Sequence, residues 1–220
     1  MNACCSSFGE TAGRQFDRRR AVQELNRYRR RGPDSTTKLL SEALVNVGLG
    51  TALLLDVGTG IGALTFEMLD SGCAGAIAVD ASPSYLSVAA AEATRLGRTA
   101  HIRFVHGDFV DLAPTLPSAS VVALDRVVCC YPRFRPLLEH ALARAERALA
   151  LSYPLDAWYV RTLGCAKNLK RRLGGSSFRT FVHSAADMEQ IIRNAGFTLS
   201  SRQRTWLWSA DVYVRRVHSD

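Results

Sequence analysis

LLLDVGTGIGAL, residues 53–64, is the stretch from which the rest of the chain can be read. Leu53, Leu54 and Leu55 followed by the acid Asp56 have the pattern of a buried strand reaching its carboxyl end. Gly58, Gly60 and Gly62 then fall at alternate positions, and residues 63–69 read as a helix. Strand, glycine turn and helix N-terminus in that order leave a place where a ligand lies against bare backbone. Glycine takes the positive φ of a tight turn at little cost and lacks the Cβ that would hold a ligand off. The first helical turn adds N–H groups with no intrahelical acceptor, aimed at the same place.

Working downstream, Gly72 and Gly75 mark a turn, and residues 76–79 form a short apolar run of the kind a strand buried on both faces shows. It ends at Asp80. Ser82 is placed to cap a helix with Pro83 at its first position, and that helix is expected to run to about Leu96 before Gly97. Residues 101–106 alternate like a strand and close at Gly107-Asp108-Phe109. Residues 120–128 form the next buried strand, 134–147 a helix, and 148–153 a strand stopped by Pro154. Residues 185–194 read as a helix ended at Gly196, and 197–206 and 209–217 as two strands too closely linked to be anything but antiparallel. Strand and helix alternating over short connections predict an α/β, doubly wound, mostly parallel seven-stranded sheet closed by an antiparallel hairpin.

Upstream, residues 1–15 are small and polar without period. Residues 16–31 carry Phe16, Val22, Leu25 and Tyr28 at helical spacing among seven arginines, an amphipathic helix docked on the domain by its apolar stripe. Its arginines are either a solvated face or a rim that attracts an anionic ligand. Gly32-Pro33 breaks it, and residues 36–47 form a second helix capped by Asp34 or Ser35. The expected organisation is a tail and cap helix over 1–33 and a main domain over 34–220. A basic insertion interrupts that domain at about 155–182.

The 220 residues, 47% of them hydrophobic, are enough for one α/β domain with a full core. A formal charge of +8 keeps a nucleic-acid partner in consideration. No apolar run approaches the roughly 20 residues of a spanning helix, and the first ten residues lack the features of a secretory signal. A cytoplasmic location is expected. The six cysteines (Cys4-Cys5, Cys73, Cys129-Cys130 and Cys165) contain no C-x-x-C pair and read as free thiols, and no metal site is expected.

In an open α/β sheet the carboxyl ends of neighbouring strands line one crevice, so Asp56, Asp80 and Asp108 are expected to converge on a single ligand. An acid at the end of the second strand suits a ribose diol. The spacing G-x-G-x-G, with an acid two residues ahead, departs from the G-x-G-x-x-G of dinucleotide sites, where that acid would repel a pyrophosphate.

Asp56-Val57-Gly58-Thr59-Gly60-Ile61-Gly62, Asp80-Ala81-Ser82-Pro83 and Gly107-Asp108-Phe109, in this order and followed by a terminal hairpin, resemble the class I S-adenosylmethionine-dependent methyltransferases over about residues 34–220. That resemblance implies a Rossmann-like fold and S-adenosylmethionine as cofactor, with S-adenosylhomocysteine as product. It also implies roles. Asp56, Gly58, Thr59 and Gly60 would surround the methionine part, Asp80 would hold the ribose, and Ala81 would line the adenine edge. Asp108 and Phe109 would meet the adenine amino end, and Arg126 would lie beneath the sulfonium. A diffuse similarity to magnesium-protoporphyrin O-methyltransferases adds Tyr28 and Arg30, on a first helix closing over the cofactor, as candidates for its carboxylate and methionine end.

The acceptor is less legible. Cys129-Cys130-Tyr131-Pro132 is not the N/D-P-P-Y/F run of amino-methylating DNA enzymes, and the double-Glu loop of protein-arginine enzymes is missing. Cys129 and Cys130 are expected to be buried or cavity-lining thiols. A cap helix and a late insertion are common in small-molecule members, so the expected acceptor is a small, partly aromatic or carboxylated molecule methylated at O, N or S. Arg133, Arg161 and Arg179 are candidate carboxylate contacts. His183, Tyr153 and Tyr131 are the candidate general bases. An RNA methyltransferase and a non-catalytic cofactor-binding module are the alternatives.

Overall fold

The structure, a computed structural model, describes residues 15–49 and 51–216. The readings made for residues 1–14, including Cys4 and Cys5, lie outside the described residues. In chain order the elements are helices α1 (Arg18–Arg31) and α2 (Ser35–Asn46), β1 (Leu53–Val57), α3 (Ala63–Asp70), β2 (Gly75–Asp80), α4 (Pro83–Arg95), β3 (Ile102–His106) and the short α5 (Phe109–Leu112). Then come β4 (Ala119–Asp125), α6 (Phe134–Arg144), β5 (Ala145–Pro154), α7 (Trp158–Leu173), α8 (Ala185–Asn194), β6 (Phe197–Arg204) and β7 (Trp208–Arg215).

The strands form one sheet in the order β3-β2-β1-β4-β5-β7-β6. The first five are parallel, and β7 runs antiparallel to both β5 and β6. The order reverses between β1 and β4, and at such a switch point connections leave in opposite directions and open a crevice at the strand ends.

Alternation along the strands builds two cores. Leu55, Val57, Val122, Leu124, Leu149 and Leu151 face α6 and α8 through Leu137, Leu138, Met188 and Ile192. Leu54, Ala76, Ala78, Ala123, Ala148 and Ala150 face α2 and α3 through Leu40, Leu44, Phe66 and Met68. The same two-residue period puts Asp56 on the face of Leu54, towards α3 rather than towards the crevice.

Two boundaries differ from the sequence reading by three residues. The fourth strand stops at Asp125 because Arg126 takes φ +60°, a left-handed conformation that ends the extended run, and its N–H donates to Ser152 Oγ at 2.8 Å. Helix α6 ends at Arg144 rather than at 147. Ala145 instead pairs with Ala119 across the sheet, and Arg215 donates to the carbonyls of Ala145 and Glu146 at 2.6 and 2.8 Å.

Helix α1 is capped by Asp17, which accepts from Arg20 N at 2.8 Å, and buries Ala21 and Leu25 against Ile61, Tyr85 and Val88. Its polar side is anchored at Glu92 of α4, whose fully buried carboxylate accepts from both Arg29 and Arg95. Those two guanidiniums, Arg95 first, hold the Glu92 carboxyl down at about 2 from an ordinary 4.5. A depressed folded-state pKa means stability that is complete above about pH 4.5 and lost as the pH falls towards 2. Glu92→Gln is therefore expected to cost about 2 kcal/mol near neutrality, because both partners are half-exposed and rehydrate, and to lower the melting temperature by about 5 °C. Thermal melts of the two proteins should converge as the pH drops below about 4.5; a gap that stays constant with pH would show that the ion pair is not its source.

Candidate active site

The ends of β1, β2 and β4 open into a crevice of about 270 Å³ at the switch point. Its floor is the glycine turn, with Gly58, Gly60 and Gly62 at φ +66°, +59° and +85°. The N–H groups of Gly58 and Thr59 donate to the Val79 carbonyl at 2.7 and 3.0 Å, which pins the turn to β2. Gly62 is needed for packing: a Cβ there would come within 2.9 Å of the Phe66 ring.

Asp56 lies under the turn. Its Oδ2 accepts from the hydroxyls of Thr59 and Thr65, both at 2.7 Å. Complete burial pushes its carboxyl up to about 6, with the two hydroxyls opposing. The expectation that Asp56 and Thr59 surround a ligand is corrected accordingly: their side chains brace the turn from beneath, and its backbone faces the crevice.

Asp80 faces in. Its Oδ2 accepts from Gly60 N and its Oδ1 from Ser82 N, each at 2.8 Å, and each oxygen keeps a lone pair for another donor. Burial raises its pKa while those two N–H groups lower it. Ala81 lines the crevice beside it, and His106 Nε2 sits 3.3 Å from the Ala81 carbonyl, a structural role.

Asp108 caps α5 by accepting from Val110 N at 3.0 Å, and the Tyr131 hydroxyl donates to the same oxygen. Asp108 Oδ2 is buried with no hydrogen-bond partner, between Gly107 and Phe109, which both line the crevice. One acceptor is thus left unmet where a donor from a ligand would complete it.

At the β4 end the strained Arg126 lines the crevice, its guanidinium held by Asp34, which Arg27 also grips at 2.6 Å. Beside it Cys130 lines the wall, with its sulfur 3.8 Å from that of Cys129. The hydrogen bond from Cys129, with Arg171 and Arg126 nearby, draws the Cys130 thiol below its ordinary value, and the same contact with burial pushes Cys129 up.

The roof comes from both ends of the chain. Ser82 Oγ donates to the Phe16 carbonyl at 2.7 Å, and the Phe16 ring meets Tyr85 and Phe178 edge-on at 5.6 and 5.2 Å. Phe16, Arg20 and Glu24 cover one side, and Arg171, Phe178 and Thr180 the other, with Trp208 at the margin. Arg20 salt-bridges Glu24 at 3.1 Å. Arg171 meets Thr180 Oγ1 at 3.2 Å and Asn168 Oδ1 at 3.5 Å and lies over the Phe178 ring, 5.2 Å from its centroid, with no carboxylate partner among the described residues. Burial and the neighbouring Arg20 hold it below its usual value.

Besides Asp56 and Thr59, four expected site residues are not brought to the crevice. The Tyr28 hydroxyl donates to Glu67 at 2.8 Å on the far side of α1, and Arg30 is exposed and donates to the Asn26 carbonyl at 3.1 Å. His183 lies between Phe134 and Phe181, its Nε2 donating to the Tyr131 carbonyl at 2.9 Å, and burial lowers its pKa. The Tyr153 hydroxyl is buried against Asp211 at 2.8 Å. Tyr131 does line the crevice. Of the arginines proposed as carboxylate contacts, Arg161 pairs with Asp156 at 2.6 Å and Arg179 bonds the Ser176 carbonyl at 2.6 Å. The sequence reading missed Phe16, Arg20 and Glu24 as lining residues, although their four-residue spacing on the cap segment signals one helical face. For Arg171 no local signal exists among its basic neighbours.

Residues 54–151 match the family described as a methyltransferase domain. Those residues carry the sequence pattern of a methyltransferase domain, and the fold of the chain is that of solved class I S-adenosylmethionine-dependent methyltransferases. Among solved methyltransferase structures, magnesium protoporphyrin IX methyltransferase from Synechocystis, with S-adenosylhomocysteine bound, matches at 21% identity and TM-score 0.68. That match covers 88% of this chain and 95% of that one. A candidate RNA methyltransferase from Pyrococcus horikoshii matches at 15% identity and TM-score 0.61 over 85% of this chain and 86% of that one. An O-methyltransferase of neocarzinostatin biosynthesis, in complex with S-adenosylhomocysteine and 1,4-dihydroxy-2-naphthoic acid, matches at 18% identity and TM-score 0.57 over 83% and 57%. At these identities the likeness is one of fold. No curated protein matches the chain. The methyltransferase cofactor fits the crevice on the structure's own terms. A bare glycine turn, a carboxylate with free lone pairs at the β2 end and an unmet carboxylate oxygen beyond it are the complement of a sulfonium amino acid, a ribose and an amino-purine.

Proposed function

We propose that this methyltransferase acts on a small, partly aromatic acceptor carrying an anionic group such as a carboxylate, at O, N or S. The observation that carries this reading is Arg171, a half-buried guanidinium over the crevice with Arg20 beside it and no carboxylate of its own. A partly buried cation without a counter-charge favours an incoming anion, and a guanidinium grips a carboxylate with two parallel bonds. Phe16, Phe178, Tyr131 and Trp208 line the same crevice with rings suited to an aromatic body.

Asp80 would hold the ribose hydroxyls, Asp108 the adenine amino group, and the Gly58 and Gly60 backbone the methionine end, with Ala81, Phe109 and Arg126 lining the pocket. S-adenosylmethionine, when bound, supplies an electrophilic methyl group on a sulfonium. The protein's part is alignment and exclusion of water, since in-line displacement draws much of its acceleration from position. Phe16 and Phe178 meet above the crevice and close it. The Tyr131 hydroxyl is committed to Asp108, and His183 and Tyr153 lie elsewhere, so an acceptor that is already ionised is favoured.

Turnover against aromatic carboxylates and phenols tests the reading. Arg171→Gln is expected to raise KM for the acidic acceptor by about 10- to 100-fold, the loss of one charge-assisted pair, and to change S-adenosylhomocysteine affinity by less than about twofold. If the variant weakens S-adenosylhomocysteine instead, Arg171 serves the cofactor. The second reading, methylation of RNA, rests on the run of five basic residues without an acid in α7. Methyl incorporation into bulk RNA that falls steeply with salt would replace the small-molecule reading.

A further inference from the structure

Helix α7 turns two different faces to the world. Its inner face is Val160, Gly164, Asn168 and Arg171. Val160 is buried, Asn168 bonds the Thr180 backbone through both ends of its amide, and Arg171 lines the crevice. The opposite face carries Trp158, Thr162, Cys165, Ala166, Leu169 and Leu173, one stripe at the spacing i, i+4, i+7, i+8, i+11 and i+15, and every one of these residues is exposed. Trp158 is 79% exposed, Leu169 57% and Leu173 81%.

A second element extends the stripe. Trp206, 72% exposed in the β6–β7 turn, stacks on Tyr159 with ring centroids 5.7 Å apart, and the Tyr159 hydroxyl donates to the Trp206 carbonyl at 2.9 Å. Trp158 meets the same tyrosine edge-on at 6.0 Å. Two exposed indoles are thus held at one end of the helix.

The charges on the helix itself have one sign, with Arg161 paired to Asp156 just before it. Helix α7 contains Arg161, Lys167, Lys170, Arg171 and Arg172 and no acid. At 100° per residue, Arg161 and Arg172 fall along one edge of the apolar stripe and Lys170 along the other. A contiguous exposed apolar face marks an interaction site. Here the face is a single convex helix rather than a groove. Its two exposed indoles sit at one end, and its flanks are cationic. No helix among the described residues is long and apolar enough to cross a membrane, so the contact is one of surface.

We propose that α7 and the β6–β7 turn dock this methyltransferase on an anionic phospholipid surface. The leucine and tryptophan side chains enter the boundary between headgroups and acyl chains, and Lys170 and Arg172, which have no acidic partner among the described residues, meet the lipid phosphates. The bilayer then lies one helix width, about 10 Å, from the crevice that α7 roofs. This inference rests on the outer face of α7 and is independent of the acceptor assigned to Arg171.

The test is co-sedimentation of the full chain with vesicles of phosphatidylcholine alone and of phosphatidylcholine with about one quarter phosphatidylglycerol. The two unpaired flanking charges, at about 1 kcal/mol each, predict binding about 30-fold tighter to the anionic vesicles, weakened by salt, with a blue shift of tryptophan emission on binding. Leu169→Glu with Leu173→Glu should abolish binding, and Lys170→Glu with Arg172→Glu should remove the preference for anionic lipid. All of these proteins should bind S-adenosylhomocysteine as the parent does, which shows them folded. Equal or absent binding to the two vesicle types overturns the proposal. So does a dimer in sedimentation that Leu169→Glu with Leu173→Glu dissolves, or RNA binding through the same residues without binding to vesicles.

Discussion

Asp80→Ala is expected to reduce S-adenosylhomocysteine affinity at least 100-fold in calorimetry while leaving the protein folded. The carboxylate already orders the crevice without ligand, taking Gly60 N and Ser82 N at 2.8 Å each. Two ribose hydroxyls would add charge-assisted bonds worth about 1.5–3 kcal/mol apiece, and the loss of both alone reaches about 3 kcal/mol. Alanine also frees Gly60 N–H, so the turn loses the bond that fixes its middle glycine. Asp80→Asn keeps one acceptor oxygen and gives up the charge, so an intermediate loss of about tenfold is expected. A melt of each variant without ligand separates binding from unfolding. Affinity of Asp80→Ala within about threefold of the parent would show that the ribose is held elsewhere.

Gly58→Ala has the largest expected effect on stability. The new Cβ would stand 2.5 Å from Val127 Cγ2, on a backbone held at φ +66°. The left-handed conformation costs an L-residue about 1–2 kcal/mol, and forcing a methyl group into a filled space costs about 1–3 kcal/mol more. A total of about 3 kcal/mol in a domain of this size lowers the melting temperature by about 10 °C. Because Val127 lines the crevice, its displacement should also weaken the cofactor about tenfold. Adding Val127→Ala removes the collision and leaves the φ cost, so the double variant should recover about half of the lost stability. A Gly58→Ala protein melting within about 1 °C of the parent would show that the turn relaxes freely and that its glycine is not required by shape.

The elements that the sequence placed best are those whose ends are set by local chemistry. The reading of α8 as residues 185–194 is met by Ala185–Asn194, because Ser184 caps its start by accepting from Asp187 N and Gly196 follows its end at φ +85°. The end of β4 and the start of β5 were misjudged for one reason. Residues 145–147, Ala-Glu-Arg, are good helix formers, and Arg126-Val127-Val128 look like strand, yet sheet pairing and the Ser152 hydroxyl overrode those preferences. The site divides in the same way. Gly58, Gly60, Asp80 and Ala81 face the crevice, since strand ends and turns put them there. Of the proposed bases, His183 stands at the edge of the basic insertion and Tyr153 at the end of the fifth strand, and packing against Phe134, Phe181 and Asp211 holds both away from the crevice.

What the sequence by itself determined is the strand, glycine turn and helix of residues 53–69, the order of the alternating units and the acids that end β2 and β3. Each depends on a period of two or 3.6 residues or on the φ that glycine alone takes cheaply, and such properties are written within a few residues of chain. Only the tertiary structure decided that Asp56 braces the turn from beneath and that Arg27 and Arg126 share Asp34. It alone brought Phe16 into contact with Phe178 over the cofactor crevice and left the outer face of α7 uncovered. Those outcomes turn on which side chains from distant segments share a volume, and no local pattern encodes that.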